Sequence, residues 1–175
     1  MSLSIQHITI AETTILAKVA RQSYREHYLQ LWHDTGAWYI KKCFTPRQLR
    51  KEISNPNSLF YFALWNDTPI GFLKLNINAT YRTLENKNCL ELERIYLLKA
   101  AKGKGIGKAL INFTLNYAQS INKEIVFLKT MDSIDTIEFY KKMGFQTFAT
   151  HRLTFPLMKE ELRGMYIMKH ILTQM

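Results

Sequence analysis

The sequence has few of the residues that define several large protein classes. Its 175 residues include two cysteines, Cys43 and Cys89, which are too few for a disulfide scaffold or a four-cysteine zinc site. Scarce cysteine is typical of a reducing compartment. Hydrophobic residues make up 47% of the chain and charged residues 22%. These ordinary globular values exclude a wholly disordered or fibrous protein.

Long apolar runs are also missing. The longest run, residues 59–65, is far shorter than the roughly 20 residues of a membrane-spanning helix. The N-terminus has no basic stretch followed by an apolar run, so it predicts no secretory signal. We therefore expect a cytoplasmic protein with no membrane partner.

Acidic residues are outnumbered, with 14 Asp and Glu against 24 Lys and Arg, a net charge of +10. Residues 1–88 hold 11 basic and 6 acidic side chains and residues 89–175 hold 13 and 8, so each part carries +5. The chain has no basic tail, which argues against nucleic acid as a partner. The one local cluster of basic side chains suits a single anionic ligand. It comprises Lys99, Lys102, Lys104 and Lys108.

Hydrophobic periodicity predicts a single α/β domain over residues 1–175, with a mixed sheet. The predicted order is a strand, helices, three strands, a helix, a strand, a helix and two strands. Asp132 or Ser133 is expected to cap the last helix and Gly144 to end it. Strands are predicted over residues 4–10, 58–65, 70–77, 90–98, 124–130, 145–155 and 165–171, and helices over 11–32, 35–44, 45–53, 104–121 and 133–143.

The most informative segment is Lys-Gly-Lys-Gly-Ile-Gly-Lys at residues 102–108. It lies between a predicted strand and the most clearly amphipathic helix. The first N–H groups of a helix have no partner within it, and the helix dipole is positive there. Because glycines let an anion approach the backbone, the segment predicts a phosphate site. The alternative is a surface turn with solvated lysines.

Three glycine-rich motifs compete for this segment. A P-loop needs Gly-x4-Gly-Lys-Ser/Thr, but position 102 is Lys and position 109 is Ala. A dinucleotide fingerprint needs Gly-x-Gly-x-x-Gly, and its third glycine would fall on Lys108. Both are therefore excluded. The pattern Gln/Arg-x-x-Gly-x-Gly/Ala fits Lys102-x-x-Gly105-x-Gly107, with Lys in place of Arg.

The third pattern resembles the pyrophosphate loop of the GNAT N-acetyltransferase superfamily, and the chain is similar to that family over nearly its whole length. Residues 92–98 resemble the family's fourth strand, and Phe-Tyr-x-x-x-Gly-Phe at residues 139–145 resembles a later signature. Within the superfamily, four stretches are similar to the PaiA-type branch, whose members acetylate polyamines. They are residues 44–55, 71–76, 90–96 and 139–145.

The resemblance implies a mostly antiparallel mixed sheet of about six to seven strands, with helices on both faces and the fourth and fifth strands splayed apart. It implies acetyl-CoA as donor, a primary amine as acceptor, and a pantetheine arm paired with Ile95, Tyr96 and Leu97. The pyrophosphate is expected on the loop formed by Lys102, Gly103, Lys104, Gly105, Ile106, Gly107 and Lys108.

Two positions depart from the family pattern. Ser133 stands where the family often has an Asn that touches the cofactor arm, so Ser133 is expected there, helped by Asp132 or a water. Lys99 stands where a Pro is usual after the fourth strand. Neither change is expected to abolish activity.

Direct acetyl transfer needs a base, because an alkyl ammonium has a pKa near 10. Glu93 matches the family's base by position, and Glu91 is the second candidate. The two lie two residues apart on a strand, so they share a face. The alternative is an exposed strand face or a salt bridge.

Tyr140 matches the family's general acid, which protonates the leaving thiolate. The alternative is core packing, and both can hold, because a buried Tyr still needs a partner for its hydroxyl. The thioester carbonyl is expected to be polarised by a backbone N–H near Tyr96 or Leu97.

The acceptor pocket is expected to use Tyr24, His27 and Trp38, since aromatic faces suit an alkyl cation. Long-range repulsion from a +10 protein opposes a polyamine acceptor. No metal is predicted, because His27 and His33 are poorly spaced for one ligand set. A protein or peptide amine acceptor and a non-catalytic CoA-binding regulatory module remain alternatives, and the protein is expected to be a monomer or homodimer.

Overall fold

Strands and helices follow one another in the order predicted from the sequence. The computed structural model describes residues 2–133 and 136–173. The elements are β1 (Leu3–His7), α1 (Thr13–His27), α2 (Ala37–Cys43), α3 (Pro46–Ile53), β2 (Ser58–Trp65), β3 (Thr68–Ala79), β4 (Cys89–Leu97), α4 (Ile106–Ser120), β5 (Ile125–Met131), α5 (Ile137–Lys142), β6 (Gln146–Arg152) and β7 (Gly164–Ile171).

The strands form one seven-stranded sheet in the order β1-β2-β3-β4-β5-β7-β6. Neighbouring strands are antiparallel except for β4 and β5, which are parallel. The mostly antiparallel mixed sheet expected from the resemblance is therefore confirmed. The chain reaches β6 before β7, yet β7 lies between β5 and β6.

Apolar side chains pack on both faces of the sheet. On one face, Leu16 and Ala20 of α1 pack in one cluster with Phe60 and Phe72 of the sheet. On the other face, residues of α4 pack with β3, β4 and β5; they include Leu110, Ile111, Leu73, Leu90 and Val126. The predicted helices on both faces are confirmed.

The first strand and first helix differ from the prediction at their junction. Thr9 accepts a hydrogen bond from the Ala11 amide at 3.3 Å, and the Glu12 carboxylate accepts one from the Thr9 amide at 2.7 Å. This capping box begins a helical turn at Ile10, so β1 ends at His7. The predicted helix over residues 11–32 is also interrupted, because α1 ends at His27 and a 3₁₀ turn, Leu29–Leu31, follows.

The hairpin between β2 and β3 turns over two residues rather than the four predicted. Asn66 and Asp67 have φ angles of 47° and 61°, as the two-residue hairpin turn that matches strand twist requires. Thr68 and Pro69 consequently belong to β3.

The last helix is shorter than predicted. Its N-cap is Thr136, so the predicted cap at Asp132 or Ser133 was wrong. Ile134 and Asp135, which fell within the predicted helix, lie outside the described residues. Gly144, with a φ of 84°, ends the helix as predicted.

Glu93 interrupts the pairing of β4 with β3. Lys74 pairs with Arg94 and Leu75 with Leu92, so Glu93 is the additional residue of a β-bulge. Pairing of β4 with β5 stops at Leu92, although both strands continue. Because a bulge bends a strand and increases its twist, β4 turns away from β5 at this point. The predicted splaying is confirmed.

We predict that Gly71→Ala destabilises the protein by about 2 kcal/mol, the usual range for overpacking. A Cβ at Gly71 would lie 2.7 Å from the Tyr96 carbonyl oxygen and would also overlap the Leu97 side chain. Urea unfolding of the variant and the wild type measures the loss.

Gly103→Ala is the matched control. A Cβ at Gly103 meets no atom within 4 Å, and only its φ of 76° opposes the change, which costs about 1 kcal/mol. If Gly71→Ala lowers the free energy of unfolding by no more than Gly103→Ala does, the result would contradict the close approach of β3 and β4.

Candidate active site

A cavity of about 490 Å³ lies where β4 and β5 separate. Side chains from α1, α2, β4, β5, α5 and the segment between β6 and β7 line it. Six residues predicted for the site from the sequence are among those lining it: Tyr24, Glu91, Glu93, Ile95, Tyr96 and Tyr140. His27, Trp38, Leu97 and Ser133 are not among its described lining residues.

Glu91 and Glu93 point to the same side of the sheet, as predicted. The amide nitrogen of Asn76 donates to both carboxylates, at 2.9 Å to Glu91 and 2.7 Å to Glu93. Lys129 also donates to Glu91 at 2.8 Å, and Lys74 lies 2.6 Å from Glu93. Both carboxylates are therefore ion-paired, the alternative that the sequence left open.

The bulge decides which side chains join the two carboxylates. In a regular strand Arg94 and Tyr96 would face away from Glu91. The additional residue Glu93 reverses the alternation, and Tyr96 packs against Tyr24 of α1 with ring centroids 5.8 Å apart. Arg94 reaches α3 on the same face. Glu91, Glu93, Arg94 and Tyr96 therefore share one face, which alternation from the sequence did not predict.

Tyr140 lies on α5 and combines packing with access to the cavity. Its ring contacts Phe139 and Phe145, with centroids 5.3 and 6.0 Å away. Burial raises the pKa of Tyr140 above that of a free phenol, and the neighbouring Tyr28 raises it further. The hydroxyl therefore stays protonated at neutral pH and can donate a hydrogen bond or a proton.

The backbone of β4 presents unpaired groups to the gap. The Leu98 amide donates to the Ile70 carbonyl at 2.8 Å, and hydrogen-bonded positions alternate along an antiparallel pair. The Tyr96 amide accordingly faces β3, whereas the N–H and C=O groups of Ile95 and Leu97 face the gap. Of the two positions near which the polarising N–H was expected, Leu97 directs its own N–H into the gap, whereas Tyr96 directs its N–H to β3 and its neighbour Ile95 faces the gap.

The glycine segment forms the turn into α4. Gly103 and Gly105 have φ angles of 76° and 70°, which glycine adopts without strain. Gly105 is the N-cap and makes no side-chain capping bond. Within the described residues no acceptor is recorded for the amides of Ile106, Gly107 and Lys108. These free donors at a helix N-terminus fit a pyrophosphate.

The lysines of the segment are not equivalent. Lys102 and Lys108 are exposed, whereas the Lys104 ammonium donates to the Ala100 carbonyl at 2.6 Å. Ile106 is buried, so only its backbone is available. Gly107 allows close packing, because a Cβ there would lie 3.3 Å from the Phe139 ring. This contact joins the segment to α5, next to Tyr140.

Ser133 is exposed in the turn after β5, next to residues outside the described ranges. The preceding Asp132 amide donates to the Gly164 carbonyl at 3.1 Å, which fixes the start of the turn. The described part of the chain thus places Ser133 at the surface near the end of β5.

Two of the three predicted acceptor residues lie elsewhere. His27 is exposed at the end of α1. Trp38 packs behind the cavity wall, with its ring 5.6 Å from Phe155 and the Lys42 ammonium 4.6 Å above it. Tyr24 does line the cavity but is 3% exposed, and its hydroxyl accepts a hydrogen bond from the Trp32 indole at 2.8 Å.

The segment between β6 and β7 covers the cavity, and sequence reasoning missed it. The Lys159 amide donates to the Leu31 carbonyl at 2.9 Å, which holds the segment against the chain after α1. Arg163 donates to the carbonyls of Phe155 and Met158 at 3.0 and 3.1 Å. No local signal shows that the segment lies over the cavity, because the bond from Lys159 to Leu31 joins positions more than a hundred residues apart.

Two further properties concern the described ranges only. They contain no group of three or more His, Cys, Asp or Glu side chains arranged to hold a metal ion. No helix within them combines the length and hydropathy that a membrane crossing requires.

We predict that Tyr24→Phe costs about 1–2 kcal/mol of stability, because the buried Trp32 indole N–H loses its acceptor. Urea unfolding measures the loss. Tyr117→Phe is the control, since no hydrogen bond is recorded for its hydroxyl in the described chain. An unchanged stability in Tyr24→Phe would contradict the structural role.

Comparison with known proteins agrees with this geometry. The sequence profile of the Acetyltransferase (GNAT) family matches residues 17–145. An uncharacterized N-acetyltransferase of Lactobacillus delbrueckii subsp. lactis is 30% identical over 116 residues, which are 66% of this chain and 67% of that protein.

Two relatives from Thermoplasma acidophilum cover almost the whole chain. Its spermidine N(1)-acetyltransferase is 30% identical in an alignment of 172 positions that covers 91% of this chain and 98% of that protein. The crystal structure of its PaiA N-acetyltransferase in complex with coenzyme A superposes with a TM-score of 0.77. That comparison has 26% identity and covers 98% of this chain and 99% of that one.

The family profile covers well over half of the chain, and the named relatives are N-acetyltransferases. The resemblance to the GNAT superfamily that the glycine segment and the two flanking signatures indicated is confirmed. The chain belongs to the GNAT acetyltransferase family and is an acetyl-CoA-dependent N-acetyltransferase that acts on an amine.

Proposed function

We propose that the acetyl group passes directly from acetyl-CoA to a primary amine, with Glu93 as general base and Tyr140 as general acid. The observation that carries this proposal is that both side chains line one cavity at the gap between β4 and β5. Glu91 lines the same cavity, but its side chain is 12% exposed against 26% for Glu93, which makes it the second candidate for the base.

In the proposed reaction, Glu93 takes a proton from the acceptor ammonium, directly or through one water. The amine nitrogen then forms a bond to the thioester carbonyl carbon. The backbone N–H of Ile95 or Leu97 donates to the oxygen as negative charge develops on it. When the carbon–sulfur bond breaks, Tyr140 gives its proton to the sulfur, and the second proton on the attacking nitrogen passes through water to the Tyr140 phenolate. The products are the neutral N-acetylated amine and the CoA thiol, and Glu93 releases the first proton to solvent.

The donor is proposed to bind mainly through backbone groups. Ile95 and Leu97 offer free N–H and C=O groups to the amides of a pantetheine arm, and Tyr96 contributes its ring. The amides at the start of α4 suit the pyrophosphate, with Lys102 and Lys108 as point charges. Ser133 is proposed to touch the arm from the turn after β5.

The leading acceptor is a polyamine. The relative named spermidine N(1)-acetyltransferase, 30% identical over 91% of this chain, supports it. The charges around the cavity do not add to this support. Three carboxylates at or next to β4 are each paired with a Lys or Arg side chain of the protein. Among the described residues they therefore leave no unpaired negative charge at the site for a polycation. The pairs join Glu52, Glu91 and Glu93 to Lys74, Arg94 and Lys129.

A peptide amine is the second candidate acceptor. The balanced charges favour it, as does the largely aromatic and aliphatic lining contributed by Tyr28, Tyr39, Phe155 and Met158. An amine on a partly apolar molecule such as a peptide gains more binding free energy from these aromatic and aliphatic side chains than a polycation does.

A panel of amines tests the acceptor class. CoA thiol release measures the reaction. We expect kcat/KM to be highest with spermidine or spermine, lower with putrescine and lowest with butylamine. Butylamine is the matched control, because it has the carbon chain of putrescine with one ammonium fewer. Turnover confined to short peptides would keep the reaction and discard the polyamine.

We predict that Tyr140→Phe lowers kcat about a hundredfold, the usual contribution of an acid catalyst. Acetyl-CoA affinity, measured by calorimetry, stays the same, because the ring is retained. Since burial raises the pKa of Tyr140, the wild-type kcat shows no loss from its ionisation up to about pH 10. Tyr81→Phe controls for the loss of a tyrosine hydroxyl elsewhere, and an unchanged kcat in Tyr140→Phe would remove its role as acid.

A further inference from the structure

Glu93 belongs to a closed ring of four charged side chains. Lys74 lies 2.8 Å from Glu52 and 2.6 Å from Glu93. Arg94 lies 2.8 Å from Glu52 and 3.2 Å from Glu93. Each cation therefore bridges the same two carboxylates, and the ring joins α3 to β3 and β4.

The ring members differ in exposure. The side chains of Lys74, Arg94 and Glu52 are 7%, 10% and 13% exposed, whereas that of Glu93 is 26% exposed. Of the two carboxylates in the ring, Glu93 is thus the one that lines the cavity at the gap and that a substrate there can reach. Buried cations need nearby negative charge, because their lost hydration is costly. The two cations share that charge between Glu52 and Glu93.

The Glu52 carboxylate is held ionised, and its contacts fix its orientation toward Lys74 and Arg94. Burial by itself would raise its pKa, but Arg94 and Lys74 outweigh burial, and the pKa of Glu52 is lowered. The Gln48 amide donates to the Glu52 Oε1 atom at 2.9 Å. Both cations bind the other oxygen, Oε2. Glu52 does not line the cavity at the gap but a neighbouring one, which Lys74 and Glu93 also line. Within the gap, Glu52 therefore acts on Glu93 through Lys74 and Arg94.

We propose that Glu52 is a positioning residue for acetyl transfer, which draws Lys74 and Arg94 partly away from Glu93 and so leaves Glu93 able to accept a proton. The inference rests on the proposed role of Glu93 as base. Without the negative charge of Glu52, two buried cations would have Glu93 as their sole carboxylate within the ring. Glu93 would then release its proton more readily and be a weaker base.

Other groups facing Glu93 do not replace Glu52. Glu91 shares Asn76 with Glu93, but its charge is balanced by Lys129. The phenols lining the cavity are uncharged at neutral pH, because burial raises the pKa of each; they are Tyr24, Tyr28, Tyr39, Tyr96 and Tyr140.

The test is the pH profile of kcat/KM in a charge cycle across the ring. Glu52→Gln can keep its oxygen toward Lys74 and Arg94 while its new NH2 group donates to the side-chain oxygen of Gln48, which turns its amide over from its present donation to Oε1. The change therefore removes mainly charge. We expect the acid limb to move to lower pH by about one unit and the plateau to fall about tenfold. The KM for acetyl-CoA stays within about twofold, since the donor groups are untouched.

Lys74→Gln should move the acid limb in the opposite direction, because it removes a cation beside Glu93. The double variant Glu52→Gln/Lys74→Gln restores equal numbers of opposite charges, so its acid limb should return to the wild-type position. The double variant also keeps the test decisive if Glu52→Gln alone fails to fold. Glu124→Gln is the control, because Glu124 pairs with Lys87 at the far end of β5.

The outcomes separate this inference from the proposed function. Glu93→Gln should abolish the wild-type acid limb, and an intact limb in that variant would overturn the role of Glu93 and the inference together. If Glu93→Gln abolishes the limb while Glu52→Gln leaves it in place, only the inference fails. A lower melting temperature with an equal loss of rate at every pH would mean that Glu52 is merely structural. A double variant whose limb stays displaced would also overturn the inference.

Discussion

The geometry of the site depends on one irregularity in hydrogen bonding, the additional residue Glu93 in β4. The bulge bends β4 where its pairing with β5 ends, at Leu92 and Leu128. Ile95 and Leu97 then keep free backbone groups on the gap side. The same residue reverses the alternation of side chains, so that Arg94 and Tyr96 join Glu93 on one face. The gap between β4 and β5 and the face that carries Glu93, Arg94 and Tyr96 therefore have a common origin.

Charge is distributed unequally between the two ends of the site. Around Glu93 each buried cation is matched by a carboxylate, because burying an unpaired Lys74 or Arg94 would be strongly unfavourable. At the start of α4, by contrast, Lys102 and Lys108 are exposed beside free amides. Unpaired positive charge thus lies at the start of α4, where it would attract an anionic pyrophosphate. The surroundings of Glu93 stay close to neutral.

Packing links these two ends. Gly107, at the start of α4, allows the Phe139 ring to approach closely, and Phe139 precedes Tyr140 on α5. On the opposite wall, backbone bonds from Lys159 to Leu31 and from Arg163 to Met158 hold the segment that covers the cavity. The cavity is consequently bounded by elements whose positions depend on one another, which suits a reaction that needs its groups held in fixed geometry.

The sequence by itself determined the order of the elements, the boundaries of β2 and α3, and the glycine segment, because local periodicity, turn residues and capping residues act over a few positions. It also placed Glu93 and Tyr140 near the site through motifs that extend over a few residues. Tertiary structure alone decided the bulge, the burial of Tyr24 against Trp32, the displacement of His27 and Trp38 from the cavity, and the ring that joins Glu52 to Glu93. These features arise from contacts between residues far apart in the chain, for example Glu52 with Arg94, and no local pattern encodes such contacts.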